Sequence, residues 1–277
     1  MPQSNVGEFY YKRKLNCYNL TTFELNTNDV INYLWAETDG KRGTNEIGTC
    51  ISRYVKSTPI NVKHLILYSD NCSGQNRNKY MMTALLHAVA TTHIELIDQK
   101  FLTTGHTKME ADSVHAAIEK TSRNVNIFTP HEYINVMKLA RSRNPYKCIQ
   151  LEHKDFVDYK VMNKTSVTNV RRNTKGEKIS WLEICHLRYK KGCPEVEYKY
   201  EFGDEFRAIM IQKVSTRKSG DVLFKKEPLK AMAYFEEFQD AILTRKALDE
   251  KYGKGIYLTL HVEEAFGKYP NLTKLKH

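Results

Sequence analysis

Between His64 and Leu102 the chain reads strand, helix, strand, and this run limits the fold most. His64–Ser69 (HLILYS) is a short, almost unbroken apolar run. It is the pattern of a strand in a sheet covered on both faces. Asn78 to Thr92, rich in Met, Leu and Ala, has helix composition, and Ile94–Leu102 reads as a second strand. Upstream, residues 9–25 and Val30–Ala36 form two strand-like runs around the turn signal NTND, and a helix begins at Thr44 or Asn45 and stops before Pro59. Downstream, a helix is expected from Lys108 to Ser122 and another from Pro130, where proline suits a first helical turn. An antiparallel-looking pair followed by helical crossovers makes a mixed α/β sheet.

The second half is less periodic. KCIQLEHKDFVDYKV, KISWLEICHLRY, VEYKYEF and FRAIMIQKV read as short strands or one short helix, NKTSVTNVRRNTKGEK as a mobile basic loop, RKSGDVLFKKEP as a linker, and Glu236–Tyr252 as a helix. The expected division is a core over residues 1–144 and a basic extension over residues 145–277, β-rich and then helical.

Charge is distributed unevenly. Residues 1–140 carry 15 Lys and Arg against 13 Asp and Glu, whereas residues 141–277 carry 28 against 19. Clusters at Arg171-Arg172, at Arg188 through Lys191 and at Lys225-Lys226, interleaved with Tyr, suit a polyanion. The same charge also serves a merely soluble surface. No apolar run approaches a membrane span, and the first residues lack a secretory signal, so a nuclear or cytoplasmic, non-secreted protein without a membrane partner is expected. Six scattered cysteines without a C-x-x-C pair read as reduced thiols rather than zinc ligands.

Acids and imidazoles gather where strands end. Asp70 and Asn71 follow one strand, Gly105, His106 and Thr107 follow the next, and Glu37 and Asp39 follow Val30–Ala36; carboxyl ends of strands are where α/β sheets bind ligands. Asp112, His115 and Glu119 share a helical face. Such oxygen-rich donors suit Mg²⁺ or Mn²⁺, and two ions about 3.5–4 Å apart would activate a water for phosphodiester cleavage. Each position has a plainer reading. Asp70 can organise its own turn, His106 can sit beside a Thr N-cap, Asp112, His115 and Glu119 can form a solvated helix flank, and residues 37–46 can be a charged loop. The single glycine in DNCSGQNRN argues against a phosphate-cradling P-loop, and no oriented base marks Cys72 as a nucleophile.

Three motifs, WAETDGKRGTNEI, LYSDNCSGQNRN and KFLTTGHTKMEADSVHAAIEK, occur in an order that resembles a transposon-derived domain family common in arthropods. That family is similar to DDE transposase and integrase cores of the ribonuclease-H-like fold. The resemblance covers residues 8–140 well and the segment with KISWLEI more weakly. It implies Asp70 as the second catalytic acid and Asp112 as the third, with His106 beside them, and Asp70, Asp112, His106 and Glu119 as metal ligands, with Glu37 and His115 as lesser candidates. The family's first acid lies on a strand ahead of the segment PQSNVGEFYYKRKL. Glu8 is the sole acid before Glu24, so the first acid is expected either to lie upstream of this stretch, the chain then being a fragment or a mis-started sequence, or to have been lost, which would leave any metal site incomplete. Gln75, Arg77, Asn78, Lys108, Arg171, Arg172, Lys190 and Lys191 are the expected nucleic-acid contacts, with DNA favoured over RNA and a homo-oligomer left open. The alternative is a non-catalytic nucleic-acid-binding or protein-interaction module.

Overall fold

The computed structural model describes residues 15–70, 72–102, 109–123, 125–127, 129–167, 170–211 and 260–261. They fall into two compact units, each assembled from separated stretches. One comprises residues 1–41, 108–154 and 231–277, the other residues 42–107 and 155–230. The expected cut at 144/145 does not coincide with a boundary between these units.

In the first unit, β1 (Leu15–Phe23) and β2 (Val30–Ala36) form an antiparallel hairpin. Its turn closes through Glu24 and Asp29, with Asn28 in the left-handed region at φ 58°, a conformation that Asn tolerates better than most side chains. Helix α3 (Glu110–Ser122) and helix α4 (Pro130–Leu139) pack beside this hairpin, burying Val114, Ile118, Tyr133 and Met137 with Val30 and Leu34. Thr129 caps α4: its hydroxyl accepts from the Glu132 N–H, and the Glu132 carboxylate accepts from the Thr129 N–H at 3.0 Å. Such a capping box satisfies two helix-end donors. The strand β5 (Lys147–Gln150) runs parallel to β2, and two residues of β9 (Leu260–His261) run parallel to β1.

The second unit holds a five-stranded sheet. Its strands are β3 (His64–Ser69), β4 (Leu96–Phe101), β6 (His186–Lys190), β7 (Glu195–Lys199) and β8 (Arg207–Met210), in that spatial order. The β3–β4 pair is parallel, joined through α2 (Lys79–Thr91), and every later pair is antiparallel. The short strands of the second half thus continue the sheet that β3 and β4 begin. One sheet face is core, with Ile97, Leu187, Tyr189, Val196 and Tyr198 fully buried. Helices α1 (Thr44–Ser57), α2 and α5 (Tyr159–Ser166) pack together.

Among the described residues the structure is therefore mixed α/β, but the strands form two mixed sheets, not the single sheet expected. Two local expectations also change. The strand β3 is not covered on both faces: it lies at the sheet edge, and Ile66 and Tyr68 are 44% and 48% exposed. An unbroken apolar run does not reveal which of its faces the fold leaves open. Residues 163–178 are not simply a loop, since Asn163–Ser166 complete α5 and Arg172 bridges Lys178 across a tight turn. The expected linker and the helix at 236–252 lie outside the described residues. Among the described residues, no helix is long and apolar enough to cross a membrane, and all six cysteines are free.

Candidate nucleic-acid interface

Asp70 directly follows β3, as expected. Its Oδ1 accepts from the Asn76 side chain at 2.6 Å and from the Cys72 N–H at 3.3 Å. The carboxylate thereby organises the turn that leads into α2. Asn78 caps that helix: its Oδ1 accepts from the Tyr80 and Met81 N–H groups, and its amide donates to Thr44 and Ser73. Arg77 is buried at 9% exposure, donating to the Leu182 carbonyl with its guanidinium 4.8 Å above the Phe101 ring. Burial pushes its pKa down. Arg77 and Asn78 thus tie the turn to the fold, while Gln75 is half-buried within it.

Asp112, His115, Glu119 and Glu37, four of the remaining metal candidates, lie on the first unit. Asp112 is exposed and accepts from the Met109 N–H at 2.9 Å, so it caps α3. His115 is half-buried on α3, its imidazole pushed toward the neutral form by burial. Glu119, exposed, lies 3.8 Å from Arg123 one turn on. Glu37 accepts from the Asn16 side chain at 3.1 Å. His106 and Lys108 lie outside the described residues. Asp70 belongs to one unit and Asp112 to the other. Among the described residues, no three His, Cys, Asp or Glu side chains are grouped as metal ligands.

The basic residues are distributed differently. Lys190 pairs with Glu197 at 2.6 Å, and the Lys191 ammonium donates to the Thr92 carbonyl. Arg171 and Arg172 lie on a held turn, across which the Arg172 guanidinium donates to the Gly176 carbonyl at 2.6 Å. Val170 and Ile179 are buried at its base, Gly176 takes a φ of 84°, and the Asn173 side chain accepts from the Lys175 and Glu177 N–H groups. The Thr174 N–H donates to the Ala208 carbonyl of β8, docking the turn on the sheet. Arg171, Arg172, Lys175 and Lys178 are all exposed there, and Glu177, the turn's only acid, is engaged by Asn173.

A second constellation on the five-stranded sheet escapes the sequence reading. Asp98, 2% exposed, stands at the middle of β4. Its Oδ1 meets His186 at 2.8 Å and Arg188 at 2.7 Å, and its Oδ2 meets His64 at 2.9 Å. Burial alone would raise the Asp98 carboxyl, but the bonds from Arg188, His186 and His64 more than offset it and hold the carboxyl well below the usual range. Burial pushes His186 down, against the pull of Asp98. The Arg188 guanidinium and the Lys199 ammonium lie 4.3 and 4.4 Å from the Phe206 ring centre, within cation–π reach. His64 of β3, Asp98 of β4 and the His186–Arg188 pair of β6 are far apart in sequence, and strand register brings them together. A hint was available: a lone acid inside an apolar strand run must find a partner when buried.

A family model for a domain of unknown function, DUF7869, matches residues 22–183, more than half of the chain. No curated protein and no solved structure matches it.

Proposed function

The chain belongs to the DUF7869 family of domains of unknown function, and we propose that it is a nucleic-acid-binding domain. The observation that carries this reading is the Arg171–Lys178 turn: four exposed cations against one engaged acid, held on β8 by backbone and Asn173 hydrogen bonds. A rigid basic protrusion binds phosphates at little entropic cost, because its backbone is already ordered. The overall excess of positive charge acts in the same direction.

A ribonuclease-H-like descent draws support from the antiparallel β1–β2 pair and from the parallel β3–β4 crossover that ends on Asp70. The division of these strands between two sheets weighs against it. Mg²⁺- or Mn²⁺-dependent cleavage at Asp70 and Asp112 draws none from the described residues, where both carboxylates cap or brace local backbone. The reading favoured here is binding without metal-dependent cleavage.

Fluorescence anisotropy with labelled DNA and RNA tests it. Charge reversal by Arg171→Glu with Arg172→Glu is expected to weaken binding at least tenfold at about 100 mM salt and to flatten its salt dependence. Wild-type affinity that stays weak at low salt, or a reversed turn that binds as well as wild type, would falsify the reading.

A further inference from the structure

The second face of the five-stranded sheet is not core. Register places His64, Ile66 and Tyr68 of β3 beside Leu96, Asp98 and Lys100 of β4, and these beside Lys190, Arg188 and His186 of β6. One row across the strands reads Tyr68, Lys100, His186, Lys199. With strands about 4.8 Å apart, this row extends about 14 Å. Aromatic rings stand at both ends. Tyr68 is 48% exposed at one end, with the Lys100 ammonium 5.6 Å from its ring. At the other, Phe202 is 55% exposed and its ring lies 6.4 Å from His186, while the Lys199 ammonium donates to its carbonyl. The neighbouring row carries two acids, and both are engaged: Asp98 is covered by Arg188 and His186, and Glu197 pairs with Lys190 at 2.6 Å.

Exposed rings at the two ends of a row of cations on a sheet match a strand whose bases are free to stack and whose phosphates lie alongside. A duplex keeps its bases stacked inside and has no use for Tyr68 or Phe202. We propose that this open face is a track for single-stranded nucleic acid, with bases stacking on Tyr68 and Phe202 and phosphates meeting Lys100 and Lys199. The proposal rests on the nucleic-acid reading above and assigns it a substrate class. The basic turn, docked on β8 beside the strand that carries Lys199, supplies further phosphate contacts.

The test uses the full chain and three labelled probes of equal length: oligo-dT, oligo-rU and a DNA duplex. Tyr68→Ala with Phe202→Ala is expected to lose about ten- to a hundredfold in affinity for at least one of the single strands, from lost stacking. Duplex affinity should stay within about twofold, whereas Tyr68→Phe keeps single-strand binding. Both side chains are largely exposed, so the folded state should survive their truncation. Tyr68→Trp supplies a reporter whose fluorescence should be quenched by the bound single strand. The track is overturned if the double alanine variant binds both single strands as wild type does, or if Trp at position 68 is not quenched. If that happens while charge reversal at Arg171 and Arg172 still weakens binding, the track alone fails. If the wild-type chain binds none of the three probes, the nucleic-acid reading fails with it.

Discussion

Asp98 accepts from three side chains on a carboxylate that water scarcely reaches. Removing its charge leaves Arg188 without its ionic partner and the cluster with one acceptor oxygen in place of two, and breaking a buried ion pair from one side is strongly destabilising. Asp98→Asn is expected to cost about 3–5 kcal/mol at neutral pH, read from chemical denaturation. The pH dependence has a definite sign. The folded carboxyl is held low, so its stabilisation is complete above its ordinary value of about 4 and fades as acid drives the pH toward the folded value. The gap between wild type and Asp98→Asn should therefore narrow below about pH 4. His186 acts the other way at higher pH: in the Asn variant it also loses the pull of Asp98 toward its charged form, so between about pH 6.5 and pH 4 this imidazole opposes any narrowing. A gap that still widens below about pH 4 would contradict this.

At the level of elements, α1, α2 and α5 approach one another at Gly48. A β-carbon there would come within 2.9 Å of the Ala84 methyl and 3.1 Å of the Tyr159 ring. The same contact includes the Ser52–Tyr159 hydroxyl pair at 2.8 Å and the Asn163 amide bonded to Thr83. Gly48→Ala improves helix propensity but overpacks this crossing, and the steric effect should win. A loss of about 1–3 kcal/mol is expected, seen as a lower Tm with unchanged secondary structure. Most element positions were legible beforehand. The β2 and β3 runs and the helix beginning at Thr44 appear where periodicity and turn signals put them. Burial was less legible, because an apolar strand at a sheet edge has the same composition as one in the middle.

For the whole molecule, the useful quantity is the number of phosphates engaged at once. Arg171, Arg172, Lys175 and Lys178 on the turn, with Lys100 and Lys199 on the track, make six cations in one compact unit. Contacts by all six on a single strand predict a slope of about −4 for log affinity against log salt. Titrations between about 50 and 200 mM salt measure it, and a slope near zero would exclude an electrostatic mode of binding.

Local chemistry was readable from the order of residues alone. Capping residues, turn glycines, strand and helix periods and the late-lying positive charge depend on near neighbours, and so does the placement of Asp70 just past β3. What Asp70 does was not readable, because a strand-end carboxylate that braces a turn and one that binds a metal look the same until its hydrogen-bond donors are known. Nor was the grouping of Asp98 with His64, His186 and Arg188, or the row from Tyr68 to Lys199. Those depend on which strands pair and in what register, and the register is set by packing between segments up to about a hundred residues apart.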